Sequence, residues 1–133
     1  MLVVDAGCLF EVVAATPGAN SIRQRMSSDP ELFAPHLIDV EVFGVIRRHH
    51  AAGHLDTTAA RQAVADLGDW PGERVGHRLF LDRAWDLRDN VRGTDAMYVA
   101  LAEAMGAVLL TTDARLGRAS GIECAVEVVP PTD

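Results

Sequence analysis

Short apolar segments alternate along the chain with longer segments of helical periodicity, and this pattern predicts an alternation of strands and helices. Residues 2–4 and 107–112 are short, apolar and not alternating, which is typical of strands buried on both faces of a parallel sheet, and residues 122–129 predict a last strand. Residues 74–77 predict a minor strand. The helical pattern covers residues 7–15, 18–28, 37–53, 58–68, 78–90, 94–106 and 114–120. We therefore predict an α/β fold, a three-layer sandwich whose mostly parallel central sheet is flanked by helices.

Length and hydropathy predict one cytoplasmic domain. A chain of 133 residues without a repeat or linker suits a single core, so we predict one domain over residues 1–133. No apolar run approaches the roughly 20 residues that span a bilayer, and no basic region precedes the first apolar stretch. We expect no membrane partner. Neither Cys8 nor Cys124 belongs to a CxxC pair, so nothing suggests a zinc site.

The charged residues limit the chemistry that the chain can perform. The net charge is −7, and all 12 basic residues are arginines, so chemistry that depends on lysine is excluded. An acidic protein has no general attraction for nucleic acid. Any contact with RNA must therefore be local, through arginines and bound cations, and the guanidinium fork matches phosphate oxygens well.

Two acidic residues follow predicted buried strands. Asp5 comes directly after residues 2–4, and Asp113 comes directly after residues 107–112. The carboxyl ends of parallel strands meet at one edge of the sheet, where α/β folds place their sites. We expect both carboxylates at that edge, although Asp113 could simply cap the helix that follows it.

Two further acids interrupt apolar helix faces. Glu41 lies on the face formed by Ile38, Val42 and Val45, and Asp95 opens a helix whose inward face includes Tyr98. Each has an ordinary alternative, because an acid at a stripe edge can reach water and an acid at a helix start is favoured by the helix dipole.

The four acids together predict a metal site. Four converging carboxylates repel one another, and a divalent cation relieves that repulsion. Oxygen ligands without histidine or cysteine favour Mg²⁺, with Mn²⁺ also suitable. Thr111 and Thr112 are candidates for orienting the carboxylates.

The motifs LVVDAGCLFEVV, LIDVEVFGVIRR, TDAMYVALAE and LLTTDARL together resemble those of PIN domains, in particular the VapC toxins of type II toxin–antitoxin systems. The resemblance spans nearly the whole chain in order. It implies a Mg²⁺-dependent endoribonuclease that cuts structured RNA, often tRNA or ribosomal RNA, and leaves a 3′-hydroxyl and a 5′-phosphate. The family's acidic residues map onto Asp5, Glu41, Asp95 and Asp113.

The resemblance also implies protein partners. It implies a homodimer and a VapB-type antitoxin that blocks the active site, with operator DNA bound only through the antitoxin. Arginines near the acids are candidates for RNA contacts, namely Arg115, Arg118, Arg47 and Arg48. The large apolar residues Trp85, Tyr98, Leu87 and Phe43 are predicted as core or dimer contacts.

Two departures from the family pattern are visible. The family often has Ser or Thr where this chain has Gly7, and Leu116 and Gly117 offer no further acid after Asp113. An inactive PIN domain that only binds RNA or an antitoxin is therefore the alternative function. Receiver domains and haloacid-dehalogenase-type phosphatases share acids after the first strand, but both need a lysine that this chain lacks.

Overall fold

The computed structural model describes residues 1–130. Five parallel strands form one sheet in the order β3-β2-β1-β4-β5. The strands are β1 Leu2–Val4, β2 Leu32–Pro35, β3 Glu73–Val75, β4 Val108–Thr111 and β5 Val126–Val128. Helices flank the sheet, as the sequence pattern predicts: α1 Ala6–Val13, α2 Ala19–Ser27, α3 Leu37–Ala51, α4 Thr57–Asp69, α5 Leu81–Asp86, α6 Asp95–Met105 and α7 Ala114–Arg118. None of the helices in residues 1–130 has the length and apolar character that crossing a bilayer requires.

The strand order places a cleft between β1 and β4. The chain moves outward from β1 through β2 to β3 and then returns to β4 on the other side of β1. Parallel crossovers are right-handed, so the helices before and after this reversal cover opposite faces of the sheet. At such a reversal the loops after the two central strands diverge, and the carboxyl edge between them opens. Asp5 and Asp113 lie on the two sides of this opening.

The core sits around β1 and β4. Leu2, Val3 and Val4 are fully buried, as are Leu109 and Leu110 in the neighbouring strand. Burial of such side chains stabilises the fold by about 1.5–3 kcal/mol each. The helix boundaries follow local signals predicted from the sequence. The Asp56 carboxylate accepts a hydrogen bond from the N–H of Ala59 at 2.8 Å, and α6 ends at Gly106, which has φ 63°.

Three sequence predictions need correction. Strand β2 was not among the predicted strands, because its four residues LFAP are too short to show a period and end in proline. The helix predicted over residues 78–90 is a 3-10 turn at Arg78–Phe80 followed by the short α5. The last predicted strand, residues 122–129, is shorter than predicted and covers only Val126–Val128.

The large apolar residues divide between the interior and the surface. Leu87 and Tyr98 are buried, as expected for core residues, whereas Phe43 is 52% exposed and Trp85 is 67% exposed. Whether these two contact a second copy stays a prediction. The single domain over residues 1–133 also stays a prediction, and residues 131–133 lie outside the described part of the chain.

Candidate active site

Asp5 directly follows β1 and caps α1 from a buried position. Its Oδ1 accepts a hydrogen bond from the N–H of Cys8 at 2.9 Å, and its Oδ2 accepts one from the hydroxyl of Thr111. Burial raises the pKa of Asp5 above its ordinary value, while these two hydrogen bonds oppose the shift and the charge of Asp113 adds to it. Keeping the Asp5 carboxylate ionised in this buried position therefore costs free energy, and the two hydrogen bonds hold it in one orientation.

Asp113 follows β4 and caps α7 at the same edge of the sheet. Its backbone N–H donates to the Thr111 hydroxyl oxygen at 3.0 Å, so one threonine connects Asp5 and Asp113. The Arg115 guanidinium contacts both carboxylate oxygens at 3.2 Å. Hydrogen bonds from Arg115 hold the pKa of Asp113 below its ordinary value. The Asp113 carboxylate is thus ionised, and the guanidinium of Arg115 on α7 partly offsets its charge.

Glu41 reaches the site from the second turn of α3. Its Oε1 accepts a hydrogen bond from the hydroxyl of Tyr98 at 2.7 Å, and its Oε2 accepts one from the hydroxyl of Thr94 at 3.0 Å. Both donors come from the start of α6, so the Glu41 carboxylate joins two helices that belong to different layers of the fold. The sequence pattern places Glu41 on an apolar stripe, and its half-buried side chain agrees with that position.

Asp95, in the first turn of α6, completes the group of acids. It is half-buried, and burial raises the pKa of Asp95, with further contributions from the charges of Asp5, Glu41 and Asp113. No hydrogen bond within residues 1–130 contributes to this shift. The four acids predicted from the sequence therefore lie near enough together to act on one another electrostatically.

A small cavity borders two of these acids. It has a volume of about 140 Å³, and Asp95 and Asp113 form part of its wall together with Asn90, Arg92 and Arg115. Arg92 was not among the predicted RNA-contact residues. Arg92 precedes α6, which begins at Asp95, so no helical spacing in the sequence connected it with the acids.

The predicted arginines differ in their distance from the acids. Arg115 lines the cavity and is paired with Asp113, whereas Arg118 is exposed at the end of α7. Arg47 lines a separate groove between α3 and α4, and Arg48 is exposed on the last turns of α3. The structure thus brings one of the four arginines into contact with a site acid.

The donor chemistry of the site fits a hard cation. The backbone of Gly7 lies close to two site oxygens, because a Cβ there would lie 3.1 Å from the hydroxyl oxygen of Thr112 and 3.5 Å from the Oδ1 of Asp5. The four acids and the neighbouring threonines offer oxygen atoms, which Mg²⁺ and Mn²⁺ prefer as ligands. Within residues 1–130, no group of three or more Asp, Glu, His or Cys side chains is arranged so that it could hold a metal ion.

Comparisons with known proteins agree with this geometry. The family model described as PIN domain matches residues 2–122. The chain is 40% identical to ribonuclease VapC3 of Mycobacterium tuberculosis over 119 residues, which cover 89% of this chain and 86% of the relative. It is 34% identical to ribonuclease VapC1 of the same organism, with 96% of each chain covered.

A solved structure shares the fold. The crystal structure of Mycobacterium tuberculosis VapC20, described as a toxin that cleaves the sarcin–ricin loop, matches with a TM-score of 0.61 and 18% sequence identity. The match covers 82% of this chain and 87% of that chain. The helices and parallel sheet described above are therefore those of a known fold.

Proposed function

Because this chain belongs to the PIN-domain family, with VapC ribonucleases among its relatives, we propose that it is an endoribonuclease toxin that uses Mg²⁺ or Mn²⁺. In this proposal it hydrolyses phosphodiester bonds of structured RNA, either tRNA or ribosomal RNA, and so stops translation. The observation that carries the proposal is that contacts bring the four acids to one edge of the sheet: Thr111 links Asp5 with Asp113, one cavity is bordered by Asp113 and Asp95, and two hydrogen bonds tie Glu41 to the segment that carries Asp95.

A bound divalent cation would supply an activated water and would stabilise negative charge on the phosphate. Asp5, Asp95 and Asp113 would hold the cation, in part through water, since Mg²⁺ usually retains several waters. Their hydrogen bonds to Thr111, Cys8 and the Arg115 side chain keep two of these carboxylates oriented before any ligand arrives.

Glu41 would bind the cation, directly or through water, and would orient the attacking water by accepting a hydrogen bond from it. Each carboxylate oxygen has two lone pairs, so the bonds from Tyr98 and Thr94 leave acceptor capacity for that water. Addition of the water's oxygen to phosphorus breaks the bond to the 3′ oxygen. A proton passes to that oxygen, and the products are a 3′-hydroxyl and a 5′-phosphate.

Arginines beside the cavity would hold the RNA backbone. Arg92 and Arg115 both line the cavity that contains Asp95 and Asp113, so a phosphate placed there would meet positive charge on one wall. Because the protein carries a net charge of −7, these local contacts have to attract the RNA.

Exposed apolar surface supports the proposed protein partners, a second copy of the chain and a VapB-type antitoxin. Val40, Phe43 and Val64 are exposed on α3 and α4, where the groove between the helices has a volume of about 440 Å³. Leu79 and Trp85 are exposed near α5. Exposed apolar groups of this kind mark protein interfaces. Light scattering of the purified protein measures whether it forms the proposed homodimer.

The test of the proposed nuclease is cleavage of total cellular RNA by purified, antitoxin-free protein. Mg²⁺, Mn²⁺ and chelator are compared, with Asp5→Asn as the site variant and Asp86→Asn, an exposed acid of α5, as the matched control. We expect discrete fragments that require metal, persist in Asp86→Asn and vanish in Asp5→Asn. Intact RNA from folded wild-type protein under all metal conditions would favour the inactive binding module instead.

A further inference from the structure

Tyr98 is a buried side chain whose polar end reaches the acid cluster. Only 1% of Tyr98 is exposed, and it is among the largest fully buried side chains of residues 1–130. A residue that served packing alone needs no hydroxyl, because a buried hydroxyl without a partner costs free energy. Here the hydroxyl has one partner, the Oε1 of Glu41 at 2.7 Å.

The Glu41 carboxylate is held from both of its oxygens. Thr94 donates to Oε2 at 3.0 Å while Tyr98 donates to Oε1, and both donors belong to the segment that carries Asp95. A glutamate side chain has several rotatable bonds, so without these hydrogen bonds the Glu41 carboxylate would sample several orientations. Two hydrogen bonds to α6 confine it to one orientation and fix it relative to Asp95.

We propose that Tyr98 is a positioning residue of the nuclease, which acts by fixing Glu41 and does not touch RNA. This inference rests on the proposed function and extends it to a side chain whose sequence pattern indicated only a core or dimer contact. Thr94 supports the same carboxylate from an exposed position, where water can replace its hydroxyl. Tyr98 is buried, so water cannot readily replace it.

Tyr98→Phe tests the proposal, because it removes the hydroxyl and keeps the ring. Mn²⁺ affinity of the RNA-free protein is measured by isothermal titration calorimetry, and kcat and KM are measured on a cleaved RNA. We expect Mn²⁺ affinity and kcat each to fall by about 10-fold, which is at the low end for loss of a residue that orients a metal ligand. KM for RNA should stay within about 2-fold, since the Tyr98 side chain is buried and does not touch RNA in this proposal.

A double-mutant cycle separates positioning from packing. In a Glu41→Ala background, where position 41 offers Tyr98 no acceptor, Tyr98→Phe should cause no further loss of Mn²⁺ affinity or kcat. Thr94→Val should give a smaller loss in the same direction. Wild-type Mn²⁺ affinity and kcat in Tyr98→Phe, or an equal loss in the Glu41→Ala background, would overturn the proposal. The calorimetry needs no RNA, so failure to find an RNA substrate would count against the nuclease and leave this test intact.

Discussion

Thr111 and Asp5 share a hydrogen bond across the central strand pair, in which the threonine hydroxyl donates to the Oδ2 of the aspartate. The same hydroxyl oxygen accepts the backbone N–H of Asp113 at 3.0 Å. Thr111 is fully buried, so water does not compete for either bond. One hydroxyl on β4 therefore sets the relative position of the two acids that follow the central strands.

Thr111→Val should destabilise the metal-free protein while preserving the fold. Valine has nearly the same shape, but Asp5 and the N–H of Asp113 each lose a partner, which costs about 1–3 kcal/mol for a buried group. Because the Thr111 hydrogen bond lowers the pKa of Asp5, its loss should raise that pKa further. Thermal unfolding at pH 7 in chelator measures the effect. Thr57→Val, at the exposed start of α4, is the control and should change the melting temperature little.

Asp5→Asn should stabilise the metal-free protein at neutral pH while abolishing cleavage. Burial raises the pKa of Asp5 above 3.8, so the folded protein retains a proton that the unfolded chain releases. The free energy of unfolding therefore falls as the pH rises from about 3.8 through the raised pKa of the folded state. Asparagine does not titrate, so it removes this contribution. Its carbonyl can still accept from Cys8 and its amide can donate to Thr111, so the fold is kept.

Melting temperatures between pH 4 and pH 8 in chelator check this prediction. Relative to the wild-type melting temperature, that of Asp5→Asn should increase as the pH rises and should be a few degrees higher at pH 7. The raised pKa of Asp95 and the lowered pKa values of Asp113 and Glu103 contribute to both curves, so the difference between the two proteins isolates Asp5. A melting temperature at pH 7 below that of the wild type would contradict the prediction.

Divalent cations should stabilise the wild-type protein. A ligand that binds only the folded state at 100 times its Kd stabilises it by about 2.7 kcal/mol, and chelator should reverse the effect. Differential scanning fluorimetry with Mg²⁺ and Mn²⁺ measures the shift in melting temperature. Asp95→Asn should lose most of that shift, because Asp95 lies within electrostatic reach of the other three acids, whereas Asp86→Asn should retain it. An equal shift in both variants would place cation binding elsewhere.

Thr112 should supply the hydroxyl that Gly7 lacks. A Cβ at position 7 would lie 3.1 Å from the Thr112 hydroxyl oxygen, so a side chain at residue 7 would compete for the same space. Thr112→Ala should weaken Mn²⁺ binding several-fold, and Gly7→Ser should restore it in that background. In the wild-type background Gly7→Ser should change the Mn²⁺ affinity little. Mn²⁺ titrations of the four proteins decide this, and an equal gain from Gly7→Ser in both backgrounds would show that the hydroxyls act independently.

Arg92→Ala should weaken RNA binding and reduce its salt dependence. Removal of one phosphate contact should lower the slope of log K against log salt by about 0.7–0.9. Binding to total tRNA in chelator, measured at several salt concentrations, separates this effect from catalysis. Arg61→Ala is the matched control, since Arg61 lines the groove between α3 and α4. If Arg92→Ala and Arg61→Ala give the same slope of log K against log salt, Arg92 makes no phosphate contact of its own.

The sequence by itself determined much of the fold and which acids to examine. Residues 2–4 and 107–112 are apolar because strands of a central parallel sheet are covered on both faces, and this left Asp5 and Asp113 conspicuous at their ends. The helical period placed Glu41 on an inward face, and Gly106 marked a helix end. Such features are local, since they depend on the period of an element and the chemistry of its ends.

The tertiary structure decided what depends on elements distant in sequence. Strand β2 exists because β1 and β3 pair with it, and four residues carry too little periodicity to show this. The partners of the acids likewise come from other elements: Tyr98 holds Glu41 across 57 positions of sequence, and Thr111 holds Asp5 across 106. Hydrogen bonds of this kind depend on distances of a few tenths of an ångström between elements, and only their packing in three dimensions fixes those distances.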